Sequence, residues 1–259
     1  MRSERKMKEK TMYILASDFD GTLNYHGISE KNREAIKKFR AAGNKFGLVT
    51  GRDYWMYETL VKEGIEFDFV LALNGAMAVD TDGSYIWCER TENKNGTVRG
   101  ISEYLGETWH TYCSCLLERK RHTFCTSEEY VKDTLRPEEA DKITEFTHLN
   151  TIFPKDEDAE IAAAEINRRW GDTVNALQNG RCIDIPPKGI DKGQGVARYA
   201  ALIGVPDDNI YCVGDNMNDM AMITRFHGCA VANARSEVKE AAEATYEAVW
   251  DVIEHILAL

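Results

Sequence analysis

The stretch Tyr13-Ile14-Leu15-Ala16-Ser17-Asp18-Phe19-Asp20-Gly21-Thr22-Leu23-Asn24 opens on four apolar residues and closes on two carboxylates, a glycine and a threonine. A short apolar run such as Tyr13 to Ala16 is what a parallel strand buried on both faces produces. Asp18 and Asp20 follow at its end. Residues two apart in a strand point the same way, so both carboxylates are expected to face one spot. Two anions held together repel, and one pKa rises unless a cation lies between them. A metal ion, a shared proton, or both would answer that repulsion. Gly21 lets the backbone turn tightly and bring its N–H groups near an anion.

Outward from this stretch, strand and helix patterns alternate. Ser29 is placed to cap a helix in which Ala35, Ile36 and Phe39 recur at helical spacing and Gly43 is the stop. Lys45 to Thr50 reads as a second strand, ending in Thr50-Gly51-Arg52. A helix then runs to about Glu63, with Gly64 closing it, and Phe69 to Leu73 is a third strand, ending in Asn74-Gly75-Ala76. Such alternation predicts a parallel, doubly wound (Rossmann-like) α/β sheet, with ligands at the carboxyl ends of its strands. Asp82-Gly83 marks a hairpin within Ala78 to Ile86.

From Cys88 to Ile185 the pattern differs. It predicts a weak helix at Val98 to Leu105, strands at Thr111 to Leu116 and His122 to Cys125, and a helix from Glu128. A strand at Asn150 to Phe153 and an amphipathic helix over Asp156 to Trp170 follow. Strands at Val174 to Leu177 and Cys182 to Ile185 flank the turn signal Asn179-Gly180. This is an α+β insert of ordinary domain size. Pro186-Pro187-Lys188-Gly189 breaks structure as a boundary should. The division expected is 1–86 with 187–259 as one discontinuous unit and 87–186 as another. After the boundary come a helix at Val196 to Ile203, a strand at Ile210 to Val213, and a short helix at Met220 to Ile223. The chain ends with a strand at Cys229 to Val231 and helices at Glu237 to Ala244 and Val249 to Leu259.

The 259 residues carry a formal charge of −11, with 43% hydrophobic and 29% charged residues. An acidic surface disfavours nucleic acid and anionic membranes, which bind through clusters of Lys and Arg. It also requires any anionic ligand to find a local positive group. Seven cysteines without a C-x-x-C pair fit reduced thiols in a cytoplasmic protein. The basic segment Met1 to Lys10 precedes an apolar run too short for a signal peptide or a membrane span, so a disordered lead-in is expected.

A second acidic strand end, Gly214-Asp215-Asn216-Met217-Asn218-Asp219, supplies two carboxylates and two amides. Oxygen ligands of this kind suit magnesium. Thr50, Gly51 and Arg52 offer a hydroxyl and N–H groups to a phosphate near a helix N-terminus, and Lys192 is placed to offset negative charge on a phosphoryl group. Gly193-Gln194-Gly195 lacks the third glycine of a dinucleotide fingerprint, since Arg198 stands there. No P-loop, H-E-x-x-H or G-x-S-x-G motif occurs, and Asp80-Thr81-Asp82-Gly83 lacks the first ligand of a calcium loop.

Asp18-Phe19-Asp20-Gly21-Thr22, then Thr50, Lys192 and Gly214 to Asp219, resemble in order the four motifs of the haloacid-dehalogenase-like (HAD) superfamily in its phosphatase form. The fourth motif and Ala230-Val231-Ala232-Asn233 resemble the Cof-type branch with the class IIB cap. No motif position departs from the pattern; the cap is matched by position and size only. The resemblance implies a HAD core with an inserted cap, and a magnesium-dependent phosphatase acting on a small phosphorylated metabolite such as a sugar phosphate. It implies Asp18 as nucleophile forming an aspartyl-phosphate and Asp20 as acid then base. Magnesium would meet Asp18, the Asp20 carbonyl and Asp215, with Asp219 holding a metal water or orienting Lys192. Gly21, Thr50, Gly51, Arg52, Lys192, Asn74 and Asn218 would surround the phosphoryl group. A phosphomutase or phosphotransferase would share the nucleophile, and a non-catalytic binding protein would share the fold. Specificity is expected in the cap, with Arg119, Arg121 and Arg181 as candidates; protein partners are not legible.

Overall fold

Ile14–Ser17 is a strand buried at every position, and it pairs in parallel with Lys45–Val49 on one side and Ile210–Gly214 on the other. Its apolar run is long enough for one such strand and no longer, which places Asp18 at the exit. The computed structural model describes residues 11–117, 119–126 and 134–259; the helix expected from Glu128 lies outside them.

The strand is near the middle of an eight-stranded sheet. From one edge the order is Ala244–Tyr246, His227–Val231, Ile210–Gly214, Ile14–Ser17, Lys45–Val49, Phe69–Ala72, Met77–Val79 and Tyr85–Cys88. The first six are mutually parallel, five of them as expected. The last two are antiparallel. Only Leu73–Ala76 joins Phe69–Ala72 to Met77–Val79, and a parallel return needs a crossover of a dozen residues or more. The helices Glu30–Ala41, Trp55–Glu63, Lys192–Ile203 and Val249–Leu257 bury their apolar faces on the sheet, among them Ile36, Phe39, Val196 and Ile253. Ser29 caps the first of them, accepting the Asn32 N–H at 3.2 Å, and Gly64 closes the second in the left-handed conformation.

One helix expectation is corrected. Ser236–Ala241 is helical, but Ala244–Tyr246 leaves the helix and adds an edge strand to His227–Val231. The alanine-rich run has helical propensity; the open ladder of its neighbour overrides it.

A second hydrophobic core lies within the insert. A six-stranded sheet, ordered Leu177–Asn179, Cys182–Ile185, His148–Ile152, Cys113–Leu117, Lys120–Phe124, Thr134–Leu135, packs against the helices Thr97–Trp109 and Asp156–Trp170. The strand expected at Val174 to Leu177 is Leu177–Asn179, and Asn179 pairs with Cys182. The turn is therefore Gly180-Arg181 rather than Asn179-Gly180, with Gly180 at φ +56°. Period-two alternation divides the sheet's faces. Leu149, Ile183 and Ile185 enter the insert's core, while His148, Asn150, Cys182 and Asp184 line the cavity against the large sheet.

Candidate active site

The carboxyl ends of Ile14–Ser17 and Ile210–Gly214 lie side by side, so the residues that follow each strand meet. Asp18 is buried and its N–H donates to the Val213 carbonyl at 2.9 Å. Lys192 reaches it from the first turn of Lys192–Ile203, a helix capped by the Asp191 side chain on the Gln194 N–H. The Lys192 ammonium is fully buried and donates to Asp18 Oδ1 at 2.6 Å and Asp219 Oδ1 at 2.5 Å. The other oxygen of Asp219 accepts the N–H groups of Asp215 (2.9 Å) and Asn216 (3.0 Å). Asp219 thus fixes both the acidic loop and the lysine.

Asp215 is held by Thr22, whose hydroxyl donates to Oδ1 at 2.8 Å. Gly21 makes room for it: at φ +82°, a Cβ there would stand 2.5 Å from Asp215 Oδ2. The Gly21 N–H donates to the Asn24 carbonyl at 3.2 Å, and its own carbonyl accepts from Asn233 Nδ2 at 2.7 Å. Carboxylate oxygens of Asp18, Asp215 and Asp219 lie within 4.8 Å of one another. An all-oxygen set of this spacing, crowded by negative charge, fits a divalent cation.

Charge crowding shows in the titration of the cluster. Burial raises the Asp18 carboxyl well above its ordinary value, with repulsion from Asp219 and Asp215 adding to it against the pull of Lys192. Burial also pushes Asp215 up to about 6, opposed by the Thr22 hydroxyl. Burial alone would lower the Lys192 ammonium, but Asp18 and Asp219 hold it above its usual range.

The two carboxylates of the opening stretch reach one cavity, but not through the strand's alternation. The strand ends at Ser17, before either of them, so the strand's period-two rule does not apply. Asp18 turns inward and Asp20 outward, where Arg52 grips it with both prongs at 2.5 Å. The guanidinium in turn packs over Phe19 and Trp55, at 5.4 and 4.8 Å from their ring centres. Asp20's side chain is accordingly outside the three-carboxylate cluster, while its carboxylate and Asp18 line the same cavity.

That cavity, of about 400 Å³, lies between the large sheet and the insert. Thr50, buried, accepts the Arg52 N–H on its hydroxyl at 3.2 Å. Asn74 is fully buried at φ +55° and neither atom of its amide makes a hydrogen bond. Asn218 is also buried, beside Asp219. A Cβ at Gly51 would collide with the Asp184 carboxylate and approach Asn74 Nδ2 to 3.3 Å, so the insert touches the Thr50-Gly51-Arg52 loop directly. Of the three arginines singled out in the insert, only Arg121 lines the cavity, bound to Asp53 at 2.5 Å. Arg119 lies 3.5 Å over the Tyr54 ring and donates to the Tyr85 hydroxyl, clasping insert to core, and Arg181 is in an exposed turn. The bond from Thr22 to Asp215 was not foreseen, and Trp55, His148, Asn150 and Asp184 escaped the sequence reading. The polar-apolar alternation of His148-Leu149-Asn150 and Cys182-Ile183-Asp184 was the signal that could have found the last three.

Comparison with known proteins agrees with this geometry. A Bacillus subtilis (strain 168) protein, 5-amino-6-(5-phospho-D-ribitylamino)uracil phosphatase YcsE, is 27% identical, the match covering 89% of this chain and 88% of that one. Among solved structures, the HAD subclass IIB sugar phosphatase BT4131 superposes with a TM-score of 0.79 at 19% identity, covering 96% of this chain and all of the other. SMU.1108c from Streptococcus mutans UA159 does so with a TM-score of 0.80 at 20% identity, with the same coverage. The haloacid dehalogenase-like hydrolase family model runs from residue 15 to residue 251, through both strand ends that build the acidic cluster. The chain belongs to that family, as a phosphatase of its Cof-like branch.

Proposed function

We propose that the protein is a magnesium-dependent phosphatase that cleaves a small phosphorylated metabolite, a sugar phosphate or similar monoester. One observation carries this reading: a buried Lys192 joins Asp18 to Asp219 at the edge of an oxygen cluster completed by Asp215. Asp18 attacks the phosphorus, the ester bond to the leaving oxygen breaks, and an aspartyl-phosphate forms. Asp20 gives its proton to the leaving alcohol. It then takes one from the water that attacks the phosphorus and restores Asp18. Arg52 holds Asp20 as a carboxylate in the substrate-free state; the entering phosphate competes for the guanidinium, and the released carboxylate takes up a proton from solvent before it acts as the acid. Lys192, Thr50, Gly51 and Asn218 surround the transferring oxygens, with Gly21 and Asn74 behind them. Asp18, Asp215, Asp219 and the carbonyl of Asp20 are the groups that would hold magnesium. Bound there, the ion would neutralise charge between phosphate and carboxylates.

Residues 87–186 serve as a cap over the site, carried by a core of 1–86 and 187–259. Two relatives support the substrate class, since one is named for a sugar and the other for a phosphorylated ribityl chain. No helix among the described residues is long and apolar enough to cross a membrane. Seven cysteines without a C-x-x-C pair fit a reducing cytoplasm, and the acidic surface argues against nucleic acid as a partner. Phosphate release from a panel of phosphorylated metabolites, with magnesium and with EDTA, tests the reading. Release that needs magnesium and vanishes in Asp18→Asn is expected. Wild-type turnover in Asp18→Asn overturns the nucleophile assignment.

A further inference from the structure

Above the acidic cluster, three buried polar side chains from three separate segments converge at the seam between cap and core. Asp184 and His148 come from adjacent cap strands, and Asn74 from the third core strand end. Asn74 and His148 are more than nine-tenths buried, and Asp184 nearly so. His148 Nε2 makes no hydrogen bond and lies 3.6 Å from Asp184 Oδ1; both amide atoms of Asn74 are likewise without one. Asn150 stands directly across the strand pair from Asp184. Polar groups buried without partners are costly, and native interiors hold few of them. An unpaired His148 Nε2 beside the Asp184 carboxylate, both residues at the wall of a cavity that also contains Asp18, leaves two polar groups placed to take a ligand's hydroxyls.

The chemistry of the cluster restricts what fits. His148 is kept neutral, because burial, with Arg121 nearby, lowers its pKa to about 3. Asn74 and Asn150 are neutral amides. Arg121, the one cation on this wall among the described residues, is already occupied by Asp53, Ser114 and Asn150. The charge left for a ligand is therefore the Asp184 carboxylate. Burial pushes it up to about 6, with Asn74 and Lys192 pulling the other way, so it is ionised at neutral pH. A carboxylate flanked by neutral donors and acceptors takes hydroxyl groups, and it repels a second phosphate or a carboxylate.

We propose that Asp184 and His148, with Asn74 behind them, form a hydroxyl-binding subsite for the leaving group, selecting polyhydroxylated monophosphates with no second anionic group. The proposal rests on the phosphatase reading and deepens it. Asp184 and His148 act here as specificity residues; the reacting atoms belong to Asp18 and Asp20.

The test compares kcat/KM for sorbitol phosphate and ribose phosphate with that for p-nitrophenyl phosphate, which offers no hydroxyls, and for phosphoglycerate and a hexose bisphosphate. In the wild type the polyol or sugar monophosphates should lead the panel and the two substrates with a second anionic group trail. Asp184→Asn should lower the ratio of the best hydroxylated substrate to p-nitrophenyl phosphate by about tenfold to a hundredfold, mainly through KM. It should also narrow the gap to the bisphosphate. His148→Gln should move the first ratio in the same direction, which guards against a folding defect in one variant. Ratios unchanged in both variants, or a wild type that prefers the bisphosphate, overturn the subsite while leaving the phosphatase standing. Failure to release phosphate from any substrate with magnesium overturns the phosphatase reading itself.

Discussion

Lys192→Met separates the contributions of charge and packing at the centre of the site. Methionine keeps the length and apolar stem of the buried side chain and removes its charge. Asp18 and Asp219, each bound to Nζ at 2.6 and 2.5 Å, are then left facing each other without a cation. Breaking a buried ion pair by deleting one partner costs about 3–5 kcal/mol. Part of that is recovered because Asp18, whose carboxyl burial already raises, can take up a proton. A working figure is about 3 kcal/mol. At about 2–4 °C per kcal/mol for a chain of this size, Tm should fall by about 6–12 °C. The assay is thermal unfolding in EDTA near pH 7.5 and again near pH 5.

The sign of the pH effect follows from the same cluster. A carboxyl whose folded pKa is raised above its unfolded value favours the folded state only while protonated, so its contribution fades as pH rises. Losing the lysine raises the Asp18 carboxyl further. The gap between variant and wild type should thus be widest at the higher pH and shrink on acidification. It should also shrink in excess magnesium, which would supply the missing positive charge. A variant that melts within about 2 °C of the wild type in EDTA refutes the reasoning. So does a gap that neither acid nor magnesium narrows, because the loss would then be one of packing.

Four further outcomes follow from the geometry. Asp215, pushed up to about 6 by burial, must be ionised to hold a metal; the rise in Tm on adding magnesium should therefore be large near pH 8 and fade below about pH 6, and an equal rise near pH 5 would count against the cluster as the metal site. Gly21→Ala puts a Cβ 2.5 Å from Asp215 Oδ2 at a φ of +82°, so calorimetry should show magnesium binding lost along with turnover. Thr22→Val removes the hydroxyl that orients Asp215 with little change of volume, and magnesium affinity should fall about tenfold by the same titration. Arg52→Lys keeps a charge but loses the two-pronged grip on Asp20 and the packing over Trp55; kcat/KM should drop about tenfold with Tm unchanged.

How much of this was legible in the sequence depended on how local the determinant is. Five of the six parallel strands could be read because each is a short apolar run closed by glycine or polar residues, a pattern set by burial on both faces. Ala244–Tyr246 could not, since nothing in Ala-Thr-Tyr favours a strand until His227–Val231 presents an open edge. The hairpin turn slipped by one residue because Asn179 was taken from the strand to supply the strongest turn dipeptide. The ladder instead keeps Asn179 paired to Cys182, and its side chain accepts from Asn216 Nδ2 at 2.9 Å in the acidic loop. A tertiary contact between cap and core outweighed a local preference.

The site divides along the same line. Asp18, Asp215, Asp219 and Lys192 stand at strand ends or the first turn of a helix, where chain position alone determines that they meet. Asp20 shares a cavity with Asp18, but the strand's alternation is not the reason: once Ser17 ends the pairing, two residues of separation no longer mean a common direction. The cap wall was legible only in principle. His148 and Asp184 sit among apolar neighbours in strands whose other face is core, and a sequence reader sees two polar residues in two half-buried strands, with no means of knowing the strands are adjacent. Their pairing, Asn150 opposite Asp184, is a register fact, and register is decided by which face of each strand is buried. Leu149, Ile183 and Ile185 on the core face therefore do more to specify the leaving-group wall than any residue in it. A one-residue slip of Cys182–Ile185 would turn Asp184 into the cap's core and an isoleucine toward Asp18, and the same slip of His148–Ile152 would turn His148 into that core and present Leu149.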